Sequence, residues 1–302
     1  MLDILARACC FVAIIVLGYV LCKVNFFKEG DFQVLSKIVL KITLPAAIVS
    51  SFAGKEISVG MLALSLLGLG GGVAYMGIAF LLNRKAGKEQ QAFEVLNTSG
   101  YNIGNFTMPF VQSFLGPMGV ITTSLFDVGN AFVCLGGAYG VASIIKGKGK
   151  FSIQTIARSL VRSVAFDSYI VMVILTLLHI SLPSPVISFA GIVGNANAFM
   201  AMLMIGVGFK LSGERSQMGT IIRILAVRYG VAVLLALGCY FLLPISLEMR
   251  QALVILAFSP IASAAPAFTG DLKGDVGLAS AVNSISIVCS ITFIVALLMI
   301  ML

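Results

Sequence analysis

The segments Asn97–Gly116 (NTSGYNIGNFTMPFVQSFLG) and Phe258–Gly277 (FSPIASAAPAFTGDLKGDVG) place amides, hydroxyls, glycines and prolines inside runs apolar enough for a membrane. A helix broken in hydrocarbon leaves backbone N–H and C=O groups that lipid cannot satisfy. Such breaks persist only where they are buried in protein or line a wet cavity. A half-helix that starts at a break presents unpaired N–H groups and partial positive charge, which is chemistry for an anion. One helix end contributes ~0.3–1 kcal/mol, up to ~2 when partly buried, whereas a charge at the bilayer centre costs ~2.5–3.5 kcal/mol. Side-chain donors and a watery approach are therefore needed as well. Asn102, Asn105, Ser259 and Ser263 lie at the breaks and can supply the donors, with Gly104, Pro109, Pro260 and Pro266 shaping the chain around them.

Acids inside apolar runs form the second constellation. Asp127 stands three residues before Asn130, so both project from nearly one helix face. Buried carboxylates in transporters are proton or cation sites by default, and Asp127 with Asn130 and Asn283 is the expected coupling site, for sodium or a proton. Asp167, with Arg158 and Arg162 near it, reads as structural, and Glu94, one turn into its helix, reads as snorkelling to the cytoplasm. His179, the single histidine, falls at an outer helix end and reads as structural. One intramembrane Asn or Ser is as readily interhelical glue, worth ~0.6 kcal/mol; two symmetric clusters favour the functional reading. Gly68, Gly70, Gly71, Gly72, Gly136 and Gly140 suit close helix packing, and Met200, Met202 and Met204 suit core filling.

Enzyme signatures are missing. There is no HExxH, Leu272–Asp275 (LKGD) lacks the first glycine of GxGD, and Asn97–Gly100 (NTSG) lacks that of GxSG. Cys9, Cys10, Cys22, Cys134, Cys239 and Cys289 fall in or beside apolar runs without a CxxC spacing and read as buried free thiols. No metal or other cofactor is expected.

The elements that must hold these residues are membrane helices. The chain is 59% hydrophobic and 11% charged, with mean hydropathy +1.07, far from the ~25% charge of soluble domains. Its first apolar run lacks a basic leader and a cleavage site, so it reads as a span. Ten spans are expected, near 4–24, 32–53, 58–82, 89–114, 118–145, 164–181, 186–210, 218–243, 249–270 and 276–302. The connections after the odd-numbered spans hold seventeen of the twenty basic residues, Arg223 and Arg228 among them. Only Arg7, Lys55 and Arg250 are left for the other side. The positive-inside rule then puts both termini outside. Basic residues scattered over five short loops explain the net charge of +8 and give nucleic acid no basic domain to bind.

The stretch Lys146–Phe151 (KGKGKF), followed by a basic amphipathic segment at Ser152–Ser163, divides the chain into five spans each, 1–150 and 151–302. Gln91–Ala92 is matched by Gln251–Ala252. Gly116 and Gly119 are matched by Gly274 and Gly277, and a mid-span Asn follows in each half, Asn130 and Asn283. An odd number of spans per half inverts one half relative to the other, so the architecture expected is an all-α inverted repeat with broken helices 4 and 9.

Four stretches resemble the auxin efflux carrier family, in its prokaryotic branch: Leu17–Gly54, ending around Pro45; Ser99–Gly116, with S-G-x-N-x-G-N-x-x-x-P; Gly194–Gly206 (GNANAFMAMLMIG); and Pro266–Ser284. Together they span nearly the whole chain. The resemblance implies a fold similar to bile acid sodium symporters, with helices 4 and 9 crossing at the membrane centre. It also implies a scaffold of helices 1, 2, 6 and 7, a mobile elevator domain of helices 3–5 and 8–10, and a carboxylate held at the crossover by Asn102 and Asn105. A homodimer through the scaffold is expected. Phe199 stands where the family has a proline, and Phe166–Asp167–Ser168 where an Asn-Pro pair is common.

The function expected is secondary active transport of small organic anions across the cytoplasmic membrane. The alternative is sodium-coupled symport of a larger, bile acid-like amphipathic anion. A channel ranks third, because two discontinuous helices in inverted repeats suit alternating access.

Overall fold

The structure is a computed structural model that describes residues 2–28, 30–147, 149, 151–209 and 217–302, the side chains from residue 5 onward. Lys148, Lys150, Lys210 and Arg215, counted above among the basic residues of the connections, lie outside the described residues.

The described residues are helical, with no strand. In chain order the helices are α1 (Leu2–Lys23), α2 (Asp31–Phe52), α3 (Ala63–Leu82), α4 (Lys88–Thr98), α5 (Met108–Phe114) and α6 (Gly116–Ile145). They continue with α7 (Ile153–Val161), α8 (Val164–Leu177), α9 (Ser184–Gly208), α10 (Met218–Leu242), α11 (Leu247–Ala257), α12 (Ala265–Asp271) and α13 (Val276–Met301). Among the described residues, seven helices are long and apolar enough to cross a membrane, and eight if α7 and α8, bent by 79°, form one span. The 20 residues of α3 reach ~30 Å, the hydrocarbon thickness of a bilayer.

Exposure is inverted relative to a soluble protein. Phe189, Ile192, Leu234 and Ile300 are 69–80% exposed, while Arg228, Asn97, Asn197 and Ser259 are fully buried. Only a surrounding apolar solvent makes that arrangement favourable, and the chain is a multi-pass membrane protein.

Two groups of helices share the fold. In the first, α1 packs on the second half of α9, and α2 packs on α8 and the first half of α9. The α1–α9 crossing is tight: a side chain on Gly206 would meet the Ile15 carbonyl at 2.0 Å, and one on Gly18 the Leu203 carbonyl at 2.4 Å. In the second, α3 packs on α6 through Gly68 and Gly129, where a Cβ would come within 2.0 Å of the Phe126 carbonyl or 1.8 Å of the Ser65 carbonyl. There α4 contacts the end of α6, α10 contacts α11, and α12 contacts α13. Gly71 and Gly72 face Tyr101 and Val133 closely, but Gly70 has open space about it, so its expected packing role does not hold.

Each kink has an identifiable cause. Pro45 cannot donate a hydrogen bond to the preceding turn, and α2 takes up a π turn at Val39–Thr43 just before it. In α9, Phe199 replaces the expected proline, yet the helix still turns at Ala196. There Gln112 donates to the Gly194 carbonyl (3.0 Å) and accepts from Asn197 (3.2 Å), whose own carbonyl oxygen accepts from Thr43 (2.9 Å). A side-chain amide from a neighbouring helix thus does the work of a proline. Helix α7 begins with Ser152 accepting from the Thr155 N–H, and buries Ile156 and Leu160 against Ala131. It crosses α6 at Gly136, whose φ of 155° interrupts that helix.

Candidate functional site

The two breaker-rich segments fold into two interrupted helices whose gaps meet. Helix α4 stops at Thr98, the chain is irregular through residues 99–102 with Gly100 at φ +76°, and a π turn at Ile103–Thr107 leads into α5. Helix α11 stops at Ala257, and α12 begins at Ala265 after an irregular 258–264. Three hydrogen bonds join the gaps directly. The Asn102 N–H donates to the Pro260 carbonyl (2.9 Å), the Thr107 hydroxyl to the Ser259 hydroxyl (2.7 Å), and the Asn105 amide to the Ser263 hydroxyl (3.2 Å).

Each gap is braced by an asparagine from the second helix after it. Asn130 of α6 accepts from the Tyr101 N–H (3.0 Å) and donates to the Tyr101 carbonyl (2.9 Å), replacing both backbone partners that the break removes. Asn283 of α13 donates to the carbonyls of Ile261 (3.0 Å) and Ala262 (3.3 Å), and Ser286 accepts from the Ile261 N–H (3.2 Å).

What remains unpaired defines the chemistry. Among the described residues, the N–H groups of Gly104, Asn105 and Phe106 before α5, and of Ala262, Ser263 and Ala264 before α12, have no hydrogen-bond acceptor. The Asn102 side-chain amide has none either, at 7% exposure, and the Asn105 carbonyl oxygen is also unpaired. Backbone donors in such a place call for water or an anion. Of the four expected ligand residues, Asn102 keeps its side-chain amide unpaired, while Asn105 and the exposed Ser263 pair with each other and leave the Asn105 carbonyl oxygen unpaired. Ser259 differs, being fully buried with its hydroxyl taken by Thr107.

The opposite ends of the breaks face Arg228. Sequence reasoning placed this residue in a cytoplasmic connection; the structure corrects that, since Arg228 is the eleventh residue of α10 and fully buried. Its guanidinium donates to the carbonyls of Thr98 (2.7 Å), the last residue of α4, and of Ser259 (2.8 Å) and Pro260 (3.1 Å), in the irregular segment just past the end of α11. It lies 4.6 Å from the ring centre of Tyr75 and 4.9 Å from that of Tyr101. Charge-assisted hydrogen bonds of ~1.5–3 kcal/mol each, negative helix ends and two aromatic faces together offset the ~2.5–3.5 kcal/mol cost of a charge at that depth. The missed signal was its position ten residues inside the expected span 218–243, where an ionisable residue is a functional candidate.

Asp127 accepts from Asn130 (2.8 Å) and from the Tyr169 hydroxyl (2.9 Å), which links α6 to α8 across the two groups of helices. Asp127 and Asn130 are thus brought together, while Asn283 braces the other gap and makes no hydrogen bond to either. Glu94 does not snorkel. It is buried, paired with Arg223, and accepts from Asn83 (2.7 Å). Asp167 is exposed in the first turn of α8, without an ion pair to Arg158 or Arg162. His179 is exposed at the end of α8 with φ 54°.

Two cavities lie near opposite ends of the interrupted helix α4–α5. One, of about 320 Å³, lies at the start of α4 between Glu89, Lys146, Thr269 and Asp275; the other, of about 370 Å³, lies at the end of α5 between Arg7, Gln112 and Asn195. Neither is lined by Asn102, Asn105 or Ser263. Comparison with protein-family models and with curated proteins gives no match for this chain.

Proposed function

We propose that the chain is a secondary transporter of small organic anions, carboxylates above all, that binds its substrate where the two interrupted helices meet. The observation that carries this reading is the pair of abutting half-helix starts with six unpaired N–H groups, backed by the buried charge of Arg228. An anion there gains hydrogen bonds from donors already fixed in place and a positive potential that costs no reorganisation.

The rest of the proposal follows the helix order. Ten spans form two inverted five-helix repeats, residues 1–150 and 151–302, with both termini outside a cytoplasmic membrane. Helices α1, α2, α8 and α9 form the scaffold and the dimer face. The remaining spans form a transport domain that moves the bound anion past the scaffold, and the Asp127–Tyr169 hydrogen bond crosses that boundary. Asp127 carries the proton or cation of any uphill uptake. Asn102, Asn105 and Ser263 contact the substrate, and Asn130 and Asn283 keep the gaps open by supplying the hydrogen bonds the backbone lacks.

The test is a thermal-shift screen of purified protein against organic acids, each with and without sodium, followed by counterflow in proteoliposomes with the acid that shifts most. Saturable uptake accelerated by the same acid inside the vesicle is expected. Unsaturable flux with no acceleration would indicate a pore, and the absence of any binding acid would remove the anion site.

A further inference from the structure

Arg228 has the surroundings of a bound cation rather than of an ion-pair partner. Among the described residues no carboxylate pairs with it. What converges on its guanidinium are three backbone carbonyls from two different broken helices, those of Thr98, Ser259 and Pro260, and the faces of Tyr75 and Tyr101. The Thr98 carbonyl ends α4 and those of Ser259 and Pro260 lie just past the end of α11, and two negative helix ends meeting in an apolar interior need a positive charge between them. The Tyr75 hydroxyl donates in turn to the Arg228 carbonyl (3.0 Å), which ties α3 to the same point.

We propose that Arg228 is a tethered cation that fills, at the crossover, the place a mobile metal cation would otherwise occupy, so that anion binding there needs neither sodium nor potassium. Its charge stays with the protein through every cycle and lies behind the unpaired N–H groups of both half-helix starts. An anion therefore meets a permanent positive potential, and a dissolved cation has no carbonyl cage left to enter. This rests on the anion-transport reading for its consequence, yet the two can fail separately. Occupancy of the carbonyl cage is read on protein stability with no substrate present, whereas transport is read with organic acids in vesicles.

The experiment measures the melting temperature of the purified, lipid-reconstituted protein in sodium, potassium or choline chloride at equal ionic strength. The same is done for Arg228→Ala with millimolar guanidinium chloride or, as a control, urea. Wild type is expected to melt at the same temperature in all three salts. Arg228→Ala is expected to melt ~5–10 °C lower, as befits emptying a buried, hydrogen-bonded charge site, and to regain at least half of the loss with guanidinium but not with urea. Stabilisation by sodium over choline that persists in Asp127→Asn would overturn the proposal, as would an alanine variant that guanidinium rescues no better than urea. If Arg228→Ala does not fold, Arg228→Lys serves instead. Keeping the charge should hold it closer to wild type than Arg228→Gln and leave it indifferent to sodium, and a lysine variant no better than glutamine would overturn the assignment.

Discussion

Replacing Asn102 by alanine separates a ligand contact from a structural brace, because the two roles predict opposite signs in two measurements. Its side-chain amide is 7% exposed and has no partner in the protein. A buried polar group left unpaired costs ~1–3 kcal/mol, so removing it should leave the melting temperature of the substrate-free protein unchanged or slightly raised. Binding should suffer instead: losing one hydrogen bond to a charged carboxylate is worth ~1.5–3 kcal/mol, or ~10- to 150-fold in affinity. Asn130 supplies the contrast. It pairs both backbone groups of Tyr101 and one oxygen of Asp127, and Asn130→Ala strands all three, a loss of ~2–5 kcal/mol of stability. The assay is thermal unfolding of both variants without ligand, together with titration of the acid that gives the largest shift on wild type. An Asn102→Ala protein that melts as low as Asn130→Ala while binding with unchanged affinity would refute the assignment of Asn102 to the site.

Other outcomes follow from the same geometry. Gly129→Ala, whose Cβ would lie 1.8 Å from the Ser65 carbonyl, should prise α3 from α6 and cost ~3 kcal/mol or more, whereas Gly70→Ala, with open space around it, should be neutral or gain up to ~1 kcal/mol in helix propensity; equal melting temperatures would show that the α3–α6 contact is looser than described. Asp127→Asn should abolish uptake against a gradient and spare exchange, measured in vesicles with an imposed sodium or proton gradient, and intact concentrative uptake would make the carboxylate purely structural. Single cysteines at Lys85 and at Leu302, in a cysteine-free background, should label from opposite sides of the membrane, and equal labelling from outside intact cells would overturn the orientation.

Composition and the placement of helix breakers determined a good deal without coordinates. A chain this apolar must put hydrophobic surface outward, and the helices fall within a few residues of the ranges read from hydropathy. The two breaker-rich segments do interrupt their helices, because proline, glycine and consecutive small polar residues act locally, within one or two turns. Asn130 and Asn283 were visible as matched polar residues in matched helices, although hydropathy could not say that each satisfies the backbone of the neighbouring break.

Tertiary structure decided what depends on partners far along the chain. Ser259 and Ser263 are four residues apart and look alike in sequence, and each accepts one hydrogen bond across the gap, from Thr107 and Asn105, yet packing buries the first completely and leaves the second exposed to a ligand. Glu94 is held inside by Arg223, 129 positions away, where its sequence position suggested escape to water. The bend of α9 comes from Gln112 of α5 rather than from any residue of α9 that forbids a helix. Arg228 is the sharpest case, since a tally of charges along the chain treats it as one more basic residue near a loop. Only when α4 and α11 are broken and brought together do their carbonyl ends converge into a cage that makes a buried guanidinium stable. Hydrogen bonding and charge solvation inside a membrane depend on distance in space, and in this fold that distance is set by helices meeting from opposite halves of the sequence.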